Sequence, residues 1–185
     1  MDNELKALFG SWDQALGTLI SAIGSTPSEK ISDTLQNDLS LLGNVMQATG
    51  NALVADSIKN FNLNKVGNEI QAIGNSTVIV GLLLPLKEEE STTLNIKGNL
   101  LQALGSSLAL PDLLDNNKVS ITTLYSIYGA LLQTIGNSLQ SLSGMIELKG
   151  KDSQNLNVVG SWIQAIGAVI QALIQSEETF SKTKS

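Results

Sequence analysis

Gly160-Ser-Trp-Ile-Gln-Ala-Ile-Gly167 is the last of six copies of one eight-residue unit, Gly-x3-Gln-x2-Gly. The other copies run from Gly10 to Gly17, Gly43 to Gly50, Gly67 to Gly74, Gly98 to Gly105 and Gly129 to Gly136. Their fifth place is held by Gln14, Gln47, Gln71, Gln102 and Gln133, matching Gln164 in the sixth copy. The second place is usually Ser or Asn, and the sixth is Ala or Thr. The copies start at intervals of 33, 24, 31, 31 and 31 residues, a period that suits either one helix of about 22 residues with a turn or a short helical hairpin. Turn signals decide between the two. Ser25-Thr-Pro-Ser, Asn60-Phe-Asn, Pro85 with Lys87-Glu-Glu-Glu-Ser, Pro111-Asp with Asp115-Asn-Asn, and Lys149-Gly-Lys-Asp-Ser fall once per interval, so each copy is one helix.

The expected fold is all-α: a six-helix antiparallel bundle or short helical array, forming one domain over residues 1–185 with a frayed tail from about 177 to 185. The helices are expected over about Asn3 to Ile23, Ser32 or Asp33 to Lys59, Asn62 to Leu84, Thr92 to Leu110, Ser120 to Leu148, and Asp152 or Ser153 into the tail. Short links favour antiparallel neighbours.

At about 100° per residue the two glycines and the Gln of each copy lie within about 60° of one another, and the apolar positions cover the opposite arc. Trp162, Ile163, Ile166, Val169, Ile170 and Leu173 share that arc in the last copy, and Leu100, Leu101, Leu104 and Leu108 in the fourth. The broad apolar arc reads as the core side. The strip is harder to place, because each interior helical Gly costs about 0.8–1 kcal/mol relative to Ala. Close helix approach would offset that cost, with Gln between the glycines bonding across the seam as a polar rung. The competing reading is a solvated face, yet only Asp13 and Glu69 are charged among the forty-eight motif residues, whereas exposed helix faces usually carry many Lys and Glu. The twelve glycines and six glutamines are therefore the structural or interaction candidates, and whether they meet their own chain or another molecule stays open.

Composition narrows the function. The chain has no Cys, His or Arg, which removes the thiolate, the commonest general base and the bidentate phosphate clamp. A net charge of −6 opposes nucleic-acid binding. Glu88-Glu89-Glu90, Asp112 with Asp115, and Glu177-Glu178 read as solvated charge runs in loops or the tail, not as ligands. No catalytic, cofactor or metal site is expected, and no enzyme activity. Trp12 and Trp162 occupy one slot of the first and last copies and read as core or capping residues closing the ends of the array. The acidic start Met1-Asp-Asn-Glu lacks a signal peptide, and the uncharged stretches 119–146 and 153–176 carry many Gln, Asn, Ser and Thr, so a cytoplasmic location is expected.

The repeated Gly-[Ser/Asn]-x-x-Gln-Ala-Ile-Gly, with Phe9-Gly-Ser-Trp and Ile20-Ser-Ala-Ile-Gly-Ser-Thr-Pro, resembles an uncharacterised family of repetitive proteins from spore-forming Gram-positive bacteria. The resemblance covers essentially the whole chain. It implies a repeated helical layout and carries no functional residues. Two readings of function follow. The first is a non-enzymatic structural or interaction bundle that packs against itself or an unknown protein through its low-charge Gly/Gln/Asn faces. The alternative is a soluble, pore-forming bundle that inserts into membranes, supported by the apolar run Val78-Ile-Val-Gly-Leu-Leu-Leu-Pro-Leu86.

Overall fold

The computed structural model describes residues 2–114 and 120–183. Among them are α1 (Asn3–Ser25), α2 (Asp33–Ser57), α3 (Leu63–Leu83), α4 (Glu88–Ser107), α5 (Leu110–Leu114), α6 (Ile121–Glu147) and α7 (Gln154–Thr183), with no strand among the described residues. The six long helices each hold one copy of the repeat. Side-chain oxygens cap three of them: Ser32 accepts from the Leu35 amide, Asn62 from Lys65 and Ser120 from Thr123, satisfying amides that a helix start leaves without partners.

Three boundaries differ from the sequence reading. α4 begins at Glu88 rather than near Thr92, because Glu88, Glu89 and Glu90 fill its first turn, where acidic side chains favour the helix dipole. The Glu90 carboxylate also accepts from the Lys87 amide at 3.2 Å. The charge run expected in a loop is thus a helix start. α4 ends at Ser107, and Pro111 sits in the first turn of α5, where a missing N–H costs nothing. Finally, α7 continues through Glu177 and Glu178 to Thr183, where fraying was expected. The expected loop at Asp115, Asn116 and Asn117 lies outside the described residues.

The long helices close into a ring in the order α1, α2, α3, α4, α6, α7 and back to α1. It has no free ends. Trp12 on α1 donates its indole N–H to Ser176 on α7 at 2.9 Å, and Trp162 on α7 donates to Thr26 at the end of α1 at 3.0 Å. The two tryptophans therefore fasten the seam where the first and last repeats meet, and do not cap an open array.

The core is the reverse of the one expected. Among the described residues twelve hydrophobic ones are buried, nine of them Ala, and the larger ones are Val78, Ile96 and Ile174. The rest of the interior is Gly, Ser, Thr, Asn and Gln, with Asn51, Asn75, Asn137, Thr18 and Ser141 the largest fully buried side chains. The middle of the apolar arc faces outward: Leu100, Leu104, Ile166 and Leu173 are about half exposed, as are Phe9, Leu16, Tyr128 and Ile135, while Leu101, Leu108, Ile163, Val169 and Ile170 at its flanks are half-buried. The reading of the broad arc as the core side is corrected, for a physical reason. Helices touching through bare backbone turn their Gly strips toward each other, and the opposite arc has only the outside to face.

Candidate functional site

The twelve motif glycines form six reciprocal pairs, two in each of three helical hairpins. Gly10 faces Gly50 and Gly17 faces Gly43 between α1 and α2; Gly67 faces Gly105 and Gly74 faces Gly98 between α3 and α4; Gly129 faces Gly167 and Gly136 faces Gly160 between α6 and α7. A Cβ on any of the twelve would lie no more than 3.0 Å from the carbonyl oxygen of its partner glycine. The backbones are as close as bare peptide allows, which is how small residues drive helix association where hydrophobic burial does not. The Gly strips thus meet one another inside the chain, which answers the question that the sequence leaves open.

The pairing registers set the Gln residues of each hairpin within about one residue, ~1.5 Å, of facing one another. A helical side chain leans toward its own N-terminus, and the two helices of a hairpin run oppositely. The six glutamines accordingly divide into two back-to-back triads across the ring axis. In one, Gln14 Nε2 donates to Gln133 Oε1 at 2.9 Å and to Gln71 Oε1 at 3.4 Å, and Ser106 Oγ donates to Gln71 Oε1 at 3.2 Å. In the other, Gln164 Nε2 donates to Gln47 Oε1 at 2.9 Å and to Gln102 Oε1 at 3.2 Å, while Gln140 Nε2 donates to Gln164 Oε1 at 2.9 Å. Gln was expected to bridge the Gly seam. Instead it links alternate helices across the axis, because the seam leaves no room for a side chain.

Each triad closes one cavity. A cavity of about 430 Å³ is lined by Gln47, Gln102 and Gln164 and opens where α1, α3 and α6 end, past Ser25, Asn95, Gln140 and Ser153 to Glu147, Lys151 and Asp152. A second of about 230 Å³ is lined by Gln14, Gln71 and Gln133 and opens at the other end, past Ser126 and Gln175 to Asp112 and Glu178. Sequence reasoning singled out the six glutamines but missed Gln140, Ser106 and Ser126, which lie outside the motif or at its edge and carried no separate signal.

The chemistry of this interior is neutral. No group of acidic residues that would hold a metal ion occurs among the described residues. Charges collect at the two ends of the ring, as in Glu29, Lys30 and Asp33 or in Asp2, Glu4 and the Lys6–Asp56 ion pair. Between the ends, Asp13, Glu69 and Lys97 interrupt the outer belt. Over the neighbouring helices α6 and α7 the belt is uninterrupted, since residues 121–146 and 154–176 carry no charge. Their outer faces show Leu124, Tyr128, Leu131, Ile135, Val159, Ile166 and Leu173, all at least one-third exposed, and α1 adds Leu5, Phe9, Leu16 and Ile23. A run of exposed apolar side chains over neighbouring helices, unbroken by charge on two of them, marks a surface that meets something other than water. Among the described residues one helix, over Gln154–Ser181, is long and apolar enough to cross a membrane, with 44% of its most apolar stretch buried.

A family model described as a family of unknown function (DUF6944) matches residues 5–172. No curated protein and no solved structure matches the chain.

Proposed function

The chain belongs to the family of unknown function DUF6944, and from its geometry we propose a non-enzymatic, membrane-resident helical bundle that turns apolar side chains to lipid and encloses a polar axis. One observation carries this reading: apart from Val78, Ile96 and Ile174, the large apolar side chains among the described residues are exposed or half-buried, while Gln and Asn amides fill the interior. In water that arrangement forfeits the main driving force of folding, since leaving a Leu or Ile exposed forgoes about 1.5–3 kcal/mol per side chain. In a bilayer the same arrangement is favoured, because helices there associate by small-residue contact and interhelical hydrogen bonds, the two interactions that the Gly pairs and Gln triads supply. The long helices have 20–30 residues, a length that matches a hydrocarbon layer of ~30 Å, and among the described residues one of them, α7 over Gln154–Ser181, is also apolar enough to cross it. The charges at the two ends suit the interfaces, with Asp13, Glu69 and Lys97 as the exceptions, each disfavoured by about 2.5–3.5 kcal/mol at a bilayer centre on insertion scales.

Flotation tests the reading. The purified chain mixed with phosphatidylcholine vesicles is expected to float with them and to resist extraction by alkaline carbonate. Recovery of the whole protein as a soluble species in the dense fraction would refute it. A second reading has its own observation, the one-sidedness of the charge-free arc over α6 and α7. In that case a second copy covers this arc, and the chain is a soluble dimer or larger assembly that ignores vesicles. The mass in detergent-free buffer separates the two.

A further inference from the structure

We propose that the two axial cavities are the halves of one conduit for a small, uncharged, hydrogen-bonding solute of the urea and primary-amide class, closed in this state by the carboxamide triads. The inference rests on the membrane reading above. Three observations support it.

First, the cavities open at opposite ends of the ring, and each ends on a triad. Between them lie the two amide triads, each held together by hydrogen bonds of 2.9–3.4 Å. Second, the triads are not self-sufficient. Nε2 of Gln71, of Gln133 and of Gln102 makes no hydrogen bond to the described residues and is open to the cavities that these side chains line. Donors on the wall of a cavity take their acceptors from what fills it, water or a solute with a carbonyl oxygen. Third, the depths of both cavities are neutral, with charged side chains only at the mouths. An ion stripped of water would meet no counter-charge there.

These features select the solute. An apolar molecule passing the triads would break their bonds and replace none, and each buried amide left unpaired costs about 1–3 kcal/mol. A planar molecule with one carbonyl and an NH₂ group presents the same donors and acceptor as the glutamine carboxamide. It can therefore take the place of one triad member, so that the other two keep their hydrogen bonds while the displaced Gln turns to water in the cavity. Space is not limiting: 230 Å³ corresponds to the liquid volume of roughly eight water molecules.

The test uses the full chain in phosphatidylcholine vesicles, after flotation has established incorporation. Stopped-flow light scattering under an inward urea gradient is expected to show permeation at least tenfold faster than in protein-free vesicles, with potassium flux unchanged. Because the chain has no Cys, Gln154→Cys at the mouth of the larger cavity provides a block applied after folding. A bulky maleimide on that thiol is expected to reduce urea permeation severalfold. Incorporated protein with urea permeation equal to that of empty vesicles overturns the conduit and leaves the membrane reading standing. A potassium flux rising with that of urea overturns the assignment of solute, and failure to float overturns both proposals.

Discussion

Replacing Gly50 by Ala tests the glycine seam against the strongest opposing effect. Helix propensity alone predicts stabilisation, since Ala is favoured over Gly by about 0.8–1 kcal/mol in a helix interior. The seam predicts the reverse. The new Cβ would lie 2.5 Å from the Gly10 carbonyl oxygen, 2.6 Å from the Gln14 amide nitrogen and 3.1 Å from the Gln14 Cα. All three are backbone atoms, so no rotamer change relieves the clash. An unstrained carbon–oxygen contact is about 3.3–3.6 Å, so α1 and α2 must separate by nearly an ångström. Overpacking of this kind costs about 1–3 kcal/mol. Moving α1 also pulls Gln14 from Gln133 and Gln71, losing about 1 kcal/mol for each buried bond. After subtracting the propensity gain, the expected loss is about 3 kcal/mol, a melting point lower by about 6–12 °C for a chain of this size. Gly129→Ala is the graded control, because its nearest contacts are at 3.0 Å and include the Gln171 side chain. It should cost clearly less. The assay is far-UV circular dichroism of both variants and the parent in one detergent. A Gly50→Ala melting point equal to or above the parent's refutes the seam.

Two further substitutions separate the interior from the exterior. Asn137 is fully buried and both polar atoms of its side chain lack partners, so Asn137→Ala removes an uncompensated amide and should raise stability by about 1–2 kcal/mol, measured as an upward shift in the same melting experiment. A fall would show that this amide is bonded in the native protein. Ile166 is 53% exposed in the charge-free arc; Ile166→Lys should abolish or strongly weaken vesicle flotation while leaving the detergent melting point within a few degrees, and undiminished flotation would remove α7 from the lipid-facing surface.

The helix count was legible because Pro, Gly and Asx residues punctuate the chain once per repeat, and Ser32, Asn62 and Ser120 announce three helix starts. The repeat also marks eighteen positions as special, but not which way they face. Periodicity establishes that Leu100, Leu104, Ile166 and Leu173 share one side of a helix, and assigning that side to the core adds an assumption that the surroundings are water. Paired glycines reverse the assignment: where backbones touch, the strip is inside and the leucines are out. Ring closure was also beyond the sequence, since Trp12 and Trp162 read equally well as end caps, and only the bonds to Ser176 and Thr26 place them at a seam. The α4 start was missed because three consecutive glutamates suggest solvent before they suggest a helix dipole.

The central claim, an apolar exterior around an amide interior, is tested most directly by single spin labels. A chain without Cys accepts one thiol at a time, at Leu16, Ile135 or Ile166 on the outside. In phosphatidylcholine vesicles, labels at these three sites should collide often with dissolved oxygen and rarely with a water-soluble nickel complex, as lipid-facing sites do. Frequent collision with the nickel complex at all three would place the leucine and isoleucine faces in water and contradict the claim.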